Sequence, residues 1–336
     1  MEKQNTATID KNNLRQVIID TPNQFIKGLE VAGNIGLQEK FDSIVVCGMG
    51  GSAMPGYLLK TIAKVRVPVF VHTSYGIPSS LTKNPLFFIS SFSGNTEETI
   101  AAYDEAKKNY SVIGFSNGGK LAEKCQADDT PSVTYNVTDK FFQPRCALAL
   151  AFSAMAKVAA NSNLIDEVDV SLKNVASFLE QSIEAGLEKD GQAVAGKIKR
   201  RIPIFYASYE SRYVAMINKI KVNENAKLPA FWNYYPELNH NEFNGYLNGA
   251  PDSFAVISLQ DPKTHPQNIK RDQITNDLLT KMGYSVVCIK AKGISMFQRF
   301  FYLLTYGDWI AYYLAISINQ DPTPVKMVEE LKKKLT

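Results

Sequence analysis

Two series of short apolar runs, each interleaved with segments of helical periodicity, limit the folds that this chain can adopt. The first series occupies residues 43–47, 67–72, 86–90, 111–115 and 132–137, and the second occupies 202–207, 254–259 and 284–289. Continuous apolar runs of this length are typical of strands buried on both faces, as in parallel sheets covered by helices. The sequence therefore predicts an α/β fold with two doubly wound parallel sheets, each at the centre of a three-layer αβα sandwich.

The segment 161–200 separates the two series. It is more polar than its flanks and has the periodicity of one or two amphipathic helices. The chain has 336 residues, and single hydrophobic cores stop growing near ~250–300 residues. We therefore predict an N-terminal domain over 1–160, a helical join over 161–200, and a C-terminal domain over 201–336 that ends in a helix.

The net charge and the length of the apolar runs limit the kinds of partner that we expect this chain to bind. The 37 Lys and Arg residues exceed the 33 Asp and Glu residues by a net charge of only +4, which is too weak to indicate nucleic acid. No window reaches the ~18 consecutive apolar residues of a membrane span, and the N-terminus has no apolar signal core. The four cysteines are scattered and form no CxxC pair. We expect a cytoplasmic protein with reduced cysteines that binds neither nucleic acid nor membrane.

A glycine-rich turn, GMGGSA at 48–53, follows the first predicted strand. We call it the glycine turn. It fits the dinucleotide pattern G-x-G-x-x-A, but the acidic residue required about 20 positions later is missing, because 66–75 contains no Asp or Glu. No Gly-Lys-Ser/Thr follows, so the turn is not a P-loop. The alternatives are a nucleotide cofactor, contact with another phosphate, and a tight turn without a ligand.

The third predicted strand ends in SFSGNTEE at 91–98, which we call the hydroxyl loop. Hydroxyl groups and the N–H groups of a helix N-terminus form a neutral, donor-rich pocket that suits a phosphate dianion. Glu97 and Glu98 would then have to point away from the anion. A capped helix is the alternative, because Asn95 and Glu98 have the spacing of a capping pair. The two loops together predict a phosphate site formed by Gly50, Gly51, Ser52, Ser91, Ser93 and Thr96.

The pair of motifs, G-G-S after the first strand and S-x-S-G-N-T-x-E after the third, resembles the sugar isomerase (SIS) domain family. Further segments narrow the resemblance to the bifunctional phosphoglucose/phosphomannose isomerases: QPR at 143–145, KVNENAK at 221–227, LNHNE at 238–242, and DPTPV at 321–325 before a Lys-rich helix. The resemblance covers about 40–336. It implies two SIS domains, a homodimer, and interconversion of glucose 6-phosphate or mannose 6-phosphate with fructose 6-phosphate.

Four more residues are candidate catalytic groups. Aldose–ketose isomerisation opens the ring, moves a proton between C1 and C2 through a cis-enediol and needs no redox cofactor. By the resemblance, Glu224 shuttles the proton, while His240 passes protons at the ring oxygen and reaches into the neighbouring subunit's site. Arg145 is a cation at a predicted helix start that could stabilise the enediolate. By the resemblance, Lys332, the lysine of an "ELK" that is followed by four residues, would assist at the ring or its hydroxyls.

Each of these four residues could instead have an ordinary structural role. Glu224 could be a solvated helix residue, His240 a loop residue that only bonds its neighbours, Arg145 part of a surface salt bridge, and Lys332 one of a solvated lysine run. A SIS-domain sensor would share the phosphate motifs, but it has no need of Glu224, His240 and Arg145 together. The three histidines show neither HxH nor HExxH spacing. We expect no metal and no cofactor.

Overall fold

The computed structural model describes residues 6, 8–62 and 64–335. The chain forms two compact units. The N-terminal unit is Asp20–Ser177, and the C-terminal unit combines the described residues up to Ile19 with those from Phe178 onward. The domain limits predicted from the sequence, 1–160, 161–200 and 201–336, differ from the limits of these two compact units and remain a prediction.

The N-terminal unit is built on a five-stranded parallel sheet of order β2-β1-β3-β4-β5. Its strands are β1 Ser43–Gly48, β2 Val69–His72, β3 Pro85–Ser91, β4 Ser111–Ser116 and β5 Ser132–Thr134. Strands β1 and β3 are buried at every residue, as expected for central strands covered on both faces. In register, Cys47 of β1 faces His72 of β2 and Ile89 of β3.

The C-terminal unit contains a four-stranded parallel sheet of order β7-β6-β8-β9. Its strands are β6 Ile202–Ser208, β7 Phe231–Tyr235, β8 Phe254–Gln260 and β9 Ser285–Lys290. The predicted α/β class with two parallel sheets is therefore confirmed. Strand β7 was not predicted, because this aromatic edge strand is mostly exposed or half-buried and lacks a continuous apolar run.

Helices lie before, between and after the strands of the two sheets. In chain order they are α1 Leu14–Ile19, α2 Thr21–Ala32, α3 Met54–Ile62, α4 Glu97–Ala106, α5 Gly119–Ala127, α6 Leu148–Asn161, α7 Asp169–Ser182, α8 Glu188–Ile198, α9 Arg212–Lys221, α10 Pro266–Lys281, α11 Met296–Ser317 and α12 Lys326–Leu335. Helix α11 is buried along most of its length. Helices α8 and α11 cross closely, since a Cβ added to Gly191 would lie 2.3 Å from the Cβ of Trp309. Among the described helices, none is both long and apolar enough to cross a membrane.

Each sheet has a point where the strand order reverses. The chain passes from the first strand to a neighbour on one side and then returns to the other side, so the reversal lies between β1 and β3 and between β6 and β8. Ligands of open parallel sheets bind in the crevice outside the carboxyl ends of the strands at such a point. The glycine turn and the hydroxyl loop follow β1 and β3, and therefore lie at the first of these crevices.

Candidate active site

The glycine turn is closely packed on both sides. At Gly48, an added Cβ would lie 2.8 Å from the carbonyl oxygen of Ser90. Gly50 has a φ of +51°, a left-handed conformation that glycine adopts without steric cost. At Gly51, an added Cβ would lie 2.7 Å from the backbone nitrogen of Arg145. The turn therefore requires glycine, and its close packing brings the backbone of Arg145 against it.

Ser52 joins the glycine turn to the hydroxyl loop. Its Oγ accepts a hydrogen bond of 3.0 Å from the backbone N–H of Phe92. The Phe92 ring in turn stacks on Tyr135 and on Phe142, with ring centroids 5.7 Å apart in each pair. The two loops are thus held together at the carboxyl edge of β1 and β3.

The side chains of the hydroxyl loop differ in exposure. Ser91 is fully buried; its Oγ donates to Thr96 Oγ1 at 3.0 Å and accepts from the Thr96 N–H at 3.4 Å. Ser93 is exposed and its Oγ accepts from the Asn95 N–H at 3.3 Å, while Thr96 is half-buried. A ligand can therefore reach Ser93 and Thr96 directly, whereas Ser91 orders the loop from beneath. Its predicted contact with phosphate stays a prediction.

Helix α4 begins within the hydroxyl loop and presents backbone donors there. Ile100 donates to the Thr96 carbonyl at 2.9 Å, so the N–H groups of Glu97, Glu98 and Thr99 precede the first i→i−4 bond of the helix. The positive end of the helix dipole lies at the same place. The loop therefore offers an anion both backbone and hydroxyl donors.

The capping pair considered for Asn95 and Glu98 is not formed. The N-cap of α4 is Thr96, and its side chain makes no capping bond within the described part of the chain. The Asn95 side chain instead accepts from the Lys120 N–H at 3.1 Å and donates to the Ser93 carbonyl at 3.1 Å. Asn95 therefore fixes the hydroxyl loop against the start of α5.

Gly118 and Gly119, which the sequence motifs did not include, pack against the hydroxyl loop. A Cβ added to Gly94 would lie only 1.7 Å from the Gly118 carbonyl oxygen, and one added to Gly119 would lie 2.5 Å from the Ser93 carbonyl oxygen. All three glycines have positive φ. The signal was present as two consecutive glycines that follow β4 after one intervening residue, in SNGGK at 116–120.

Arg145 is buried in the same unit, with 2% of its surface exposed. It lies in a 3₁₀ turn, Pro144–Ala147, that leads into α6, and its Nη1 lies 3.4 Å from Gln143 Oε1. Because the side chain is buried, the alternative of a surface salt bridge does not hold. The N-terminal unit thus brings together the glycine turn, the hydroxyl loop and Arg145. The role of Arg145 in stabilising an enediolate stays a prediction.

Glu224 belongs to the C-terminal unit and lies in a π-helical turn, Val222–Ala226, that extends α9. The sequence indicated a helix here; a π turn is a variant that often occurs at functional sites. The Glu224 side chain is half-buried. Just before the turn, buried Lys221 pairs with Asp308 at 2.7 Å and donates to the Leu304 carbonyl at 3.0 Å. The turn that carries Glu224 is therefore anchored to α11.

Lys227 joins two of the sequence motifs. It ends the π turn with a φ of +56°, and its Nζ donates to the carbonyls of Asn225 at 3.0 Å and Asp321 at 2.8 Å. Asp321 also accepts from the Thr323 N–H at 3.0 Å. The KVNENAK and DPTPV segments, distant in sequence, thus meet beside the turn that carries Glu224.

Lys332 lies on α12, which directly follows the DPTPV segment. Every residue of this helix is exposed, Lys332 included. On the same helix, Lys334 pairs with Glu330 at 3.1 Å. The predicted role of Lys332 at the sugar ring stays a prediction.

His240 is the last residue of a short 3₁₀ turn, Glu237–His240, that follows β7. Its imidazole is exposed, whereas Leu238 in the same turn is fully buried. The turn is therefore fixed to the unit while the histidine faces outward. The assignment of His240 to a partner's site stays a prediction.

A buried network supports the segment that carries His240. The Tyr206 hydroxyl on β6 donates to Glu242 and lies 2.5 Å from the Tyr246 hydroxyl, while Asn233 Nδ2 donates to Glu242 at 2.5 Å. Burial first, and then the charges of Tyr246 and Glu242, raise the pKa of Tyr206 far above its usual value. The phenol therefore keeps the proton that it donates. Glu242 lies in the LNHNE motif, but no pattern in the sequence indicates that it accepts hydrogen bonds from Tyr206 and Asn233.

The other two histidines have local structural partners. His72 Nε2 lies 3.3 Å from the Tyr75 carbonyl oxygen, and His265 caps α10 by accepting from the Gln267 N–H at 3.1 Å. Over residues 6, 8–62 and 64–335, no three His, Cys, Asp or Glu side chains group as metal ligands. The expectation that no metal takes part stays a prediction.

Comparison with known proteins defines the class of this fold. Residues 187–335 match the family described as bacterial phospho-glucose isomerase C-terminal SIS domain. The solved structure of tagatose-6-phosphate ketose/aldose isomerase from Escherichia coli is similar with a TM-score of 0.71, over 91% of this chain and 93% of that chain, at 17% identity. At that identity the likeness shows the fold alone. The protein is thus of the SIS-domain class.

Sequence relatives narrow the class to a family. The chain is 34% identical to the bifunctional phosphoglucose/phosphomannose isomerase of Caldicellulosiruptor bescii, over 95% of this chain and 97% of the relative. It is 31% identical to the protein of the same name from Aquifex aeolicus, over 88% of this chain and 91% of the relative. The chain belongs to the family of bifunctional phosphoglucose/phosphomannose isomerases, which confirms the resemblance drawn from its motifs.

Proposed function

We propose that this protein interconverts glucose 6-phosphate, mannose 6-phosphate or both with fructose 6-phosphate, without a cofactor. The observation that carries the proposal is the contact between the glycine turn, the hydroxyl loop and the Arg145 turn at the crevice between β1 and β3. The names of the sequence relatives support the same activity.

The substrate phosphate would bind at the hydroxyl loop. Ser93 and Thr96 offer hydroxyl groups, and the first turn of α4 offers N–H groups and the positive end of its dipole. The backbone of the glycine turn could approach the phosphate closely at Gly50, where the position of a Cβ is open space, while Gly51 packs on the backbone of Arg145. A phosphate dianion could be held here by neutral donors.

Proton transfer would fall to Glu224. As a base it would take the proton from C2 and return it to C1, passing through a cis-enediol. Its half-buried position in an anchored turn suits a carboxylate that must be held in one place. Arg145 would stabilise the developing oxyanion with a fixed positive charge, and Lys332 would assist at the sugar ring or its hydroxyls.

Ring opening would need a group that passes a proton at the ring oxygen, which we assign to His240. Its exposed position on a fixed turn supports the further proposal that it serves the site of a partner subunit in a homodimer. A cytoplasmic location would accord with substrates of this kind.

A SIS-domain sensor that binds sugar phosphates without turning them over is the second candidate. It is not favoured, because the relatives that cover almost the whole chain are named isomerases. The phosphate loops alone would serve either function. The discriminating residues are Glu224, His240 and Arg145.

Proton exchange at C2 is the test. Each of the three sugar phosphates would be incubated with the purified protein in heavy water and followed by NMR, with and without a chelator. Interconversion with deuterium incorporation at C2 of the aldose is the expected result. Binding of the sugar phosphates without exchange would reject the isomerase and favour the sensor.

A further inference from the structure

The turn that carries Glu224 ends at a lysine in a left-handed backbone conformation. Lys227 directly follows the π turn Val222–Ala226, with a φ of +56° and a ψ of +32°. The residue that ends a helix in this conformation is usually glycine, because a Cβ is sterically unfavourable there. A lysine at this position indicates that its side chain makes contacts which offset that cost.

The Lys227 ammonium makes two such contacts. Its Nζ donates to the carbonyl of Asn225, inside the π turn, at 3.0 Å, and to the carbonyl of Asp321, 94 residues away in sequence, at 2.8 Å. The last carbonyls of a helix have no partner within the helix, and a cation near them also interacts favourably with the helix dipole. Lys227 therefore both caps the turn and links it to a distant segment, which glycine could not do.

The segment that receives this bond is itself held in place. The Asp321 carbonyl also accepts from Gln320 Nε2 at 3.0 Å, and the Asp321 carboxylate accepts from the Thr323 N–H at 3.0 Å. Pro322 and Thr323 are buried. Lys227 thus donates to a carbonyl whose position the surrounding chain fixes, so the bond can hold the π turn in place.

Other contacts fix the turn at different points. Lys221 anchors its start to α11, and Asn223 Nδ2 donates to the Leu228 carbonyl at 2.8 Å. Lys227 adds a bond from the end of the turn to the segment before α12. Glu224 lies between these anchors, so a shift at either end of the turn would move its carboxylate.

We propose that Lys227 is a positioning residue for the isomerisation, which holds the Glu224 carboxylate where it can take the proton from C2. The proposal rests on the role proposed above for Glu224. A general base must lie within hydrogen-bond reach of the proton that it takes, and a displacement of about 1 Å can slow a reaction by about 100-fold. Lys227 acts through the backbone of the turn and need not touch the substrate.

Two substitutions separate the hydrogen bonds of Lys227 from its backbone conformation. Lys227→Met keeps a long side chain in the left-handed conformation but removes the ammonium, whereas Lys227→Arg keeps a positive charge and N–H donors. Lys124→Met is the matched control, because it also removes an ammonium, one that pairs with Asp104 at 2.7 Å on the surface of the N-terminal unit. For each full-length variant, kcat and KM for fructose 6-phosphate would be measured, and urea denaturation would give the folded fraction.

Lys227→Met is expected to lower kcat per folded molecule by about 10- to 100-fold and to change KM by less than about twofold, because a displaced base slows the chemical step and leaves the phosphate loops as they are. Lys227→Arg should recover most of that loss. Lys124→Met should equal the wild type in both constants.

A Glu224→Gln background distinguishes positioning from general support of the fold. If Lys227 acts through the Glu224 carboxylate, Lys227→Met should not lower the residual turnover of Glu224→Gln any further, because the effects of residues that act as a unit are not additive. The residual turnover would be followed by NMR as deuterium incorporation at C2 in heavy water.

Two results would overturn the proposal while leaving the role of Glu224 intact. The first is a Lys227→Met enzyme with the kcat of the wild type, and the second is a loss that is equally large in the wild-type and Glu224→Gln backgrounds. Normal turnover of Glu224→Gln alone would instead remove Glu224 from the mechanism, and with it the positioning role of Lys227.

Discussion

Substitution of Gly51 by alanine tests the packing on which the phosphate site depends. The added Cβ would lie 2.7 Å from the Arg145 nitrogen and 2.8 Å from the Pro144 carbonyl carbon, both backbone atoms that cannot rotate away. Ordinary contact begins near 3.4 Å, so the two segments must separate by about 0.7 Å (3.4 minus 2.7). Overpacking of this kind costs about 1–3 kcal/mol of unfolding free energy. If the turn moves instead, a displaced substrate lowers kcat/KM by about 10- to 100-fold.

The matched control for that substitution is Gly196→Ala. Gly196 lies in α8 with open space where the Cβ would be, so alanine should stabilise the protein by up to about 1 kcal/mol through its higher helix propensity. Urea denaturation gives the two stabilities, and a fructose 6-phosphate isomerisation assay gives kcat/KM. A Gly51→Ala enzyme that equals the wild type in both measurements would refute the close contact between the glycine turn and the Arg145 turn.

The remaining predictions concern the proposed catalytic groups. Glu224→Gln should lower kcat by about 10²–10⁴-fold, the range for a lost acid–base group, with sugar-phosphate affinity by calorimetry little changed; normal turnover would remove Glu224 from the mechanism. Ser93→Ala should weaken binding by about 1–3 kcal/mol, as for a lost bond to a charged group, seen as a raised KM, and an unaltered KM would put the phosphate elsewhere. Mixing His240→Ala subunits with Glu224→Gln subunits should restore activity in the mixed dimer, because one of its two sites is then complete; no recovery would indicate a site built within one chain. Lys332→Ala should reduce kcat more than Lys333→Ala does, and equal effects would argue for a solvated lysine run.

The sequence predicted the strands and loops that a local pattern of residues identifies. Strands β1 and β3 were recognised because burial on both faces leaves an unbroken apolar run. Strand β7 was not predicted, because its aromatic residues show no clear period and most of them are partly exposed. The motifs also located the glycine turn and the hydroxyl loop, since strand-to-loop-to-helix order is visible in the chain itself.

Contacts between distant segments could not be predicted in the same way. Nothing around Gly51 indicates that its Cα faces the backbone of Arg145, and nothing around Lys227 indicates that its ammonium reaches the Asp321 carbonyl. The exposure of a hydroxyl is equally a tertiary property: Ser91 and Ser93 are equivalent in the motif, yet one is buried and the other faces solvent. Motifs therefore identify the segments of a site, and packing decides which side chains in them meet a ligand.

The two crevices share a strand order but differ in the loops that line them. Both sheets place their first strand between the second and the third, so both create a crevice at the same topological position. After β1 and β3 the loops carry glycines, hydroxyls and backbone donors, which favour an anion, whereas after β6 and β8 they carry Glu210 and Asp261, of which Asp261 is paired with Arg299. Since the strand order is shared, any preference of one crevice for a class of ligand must come from these few loop residues. Phosphate binding is therefore expected at the first crevice, where glycines and hydroxyls meet the N-terminus of a helix.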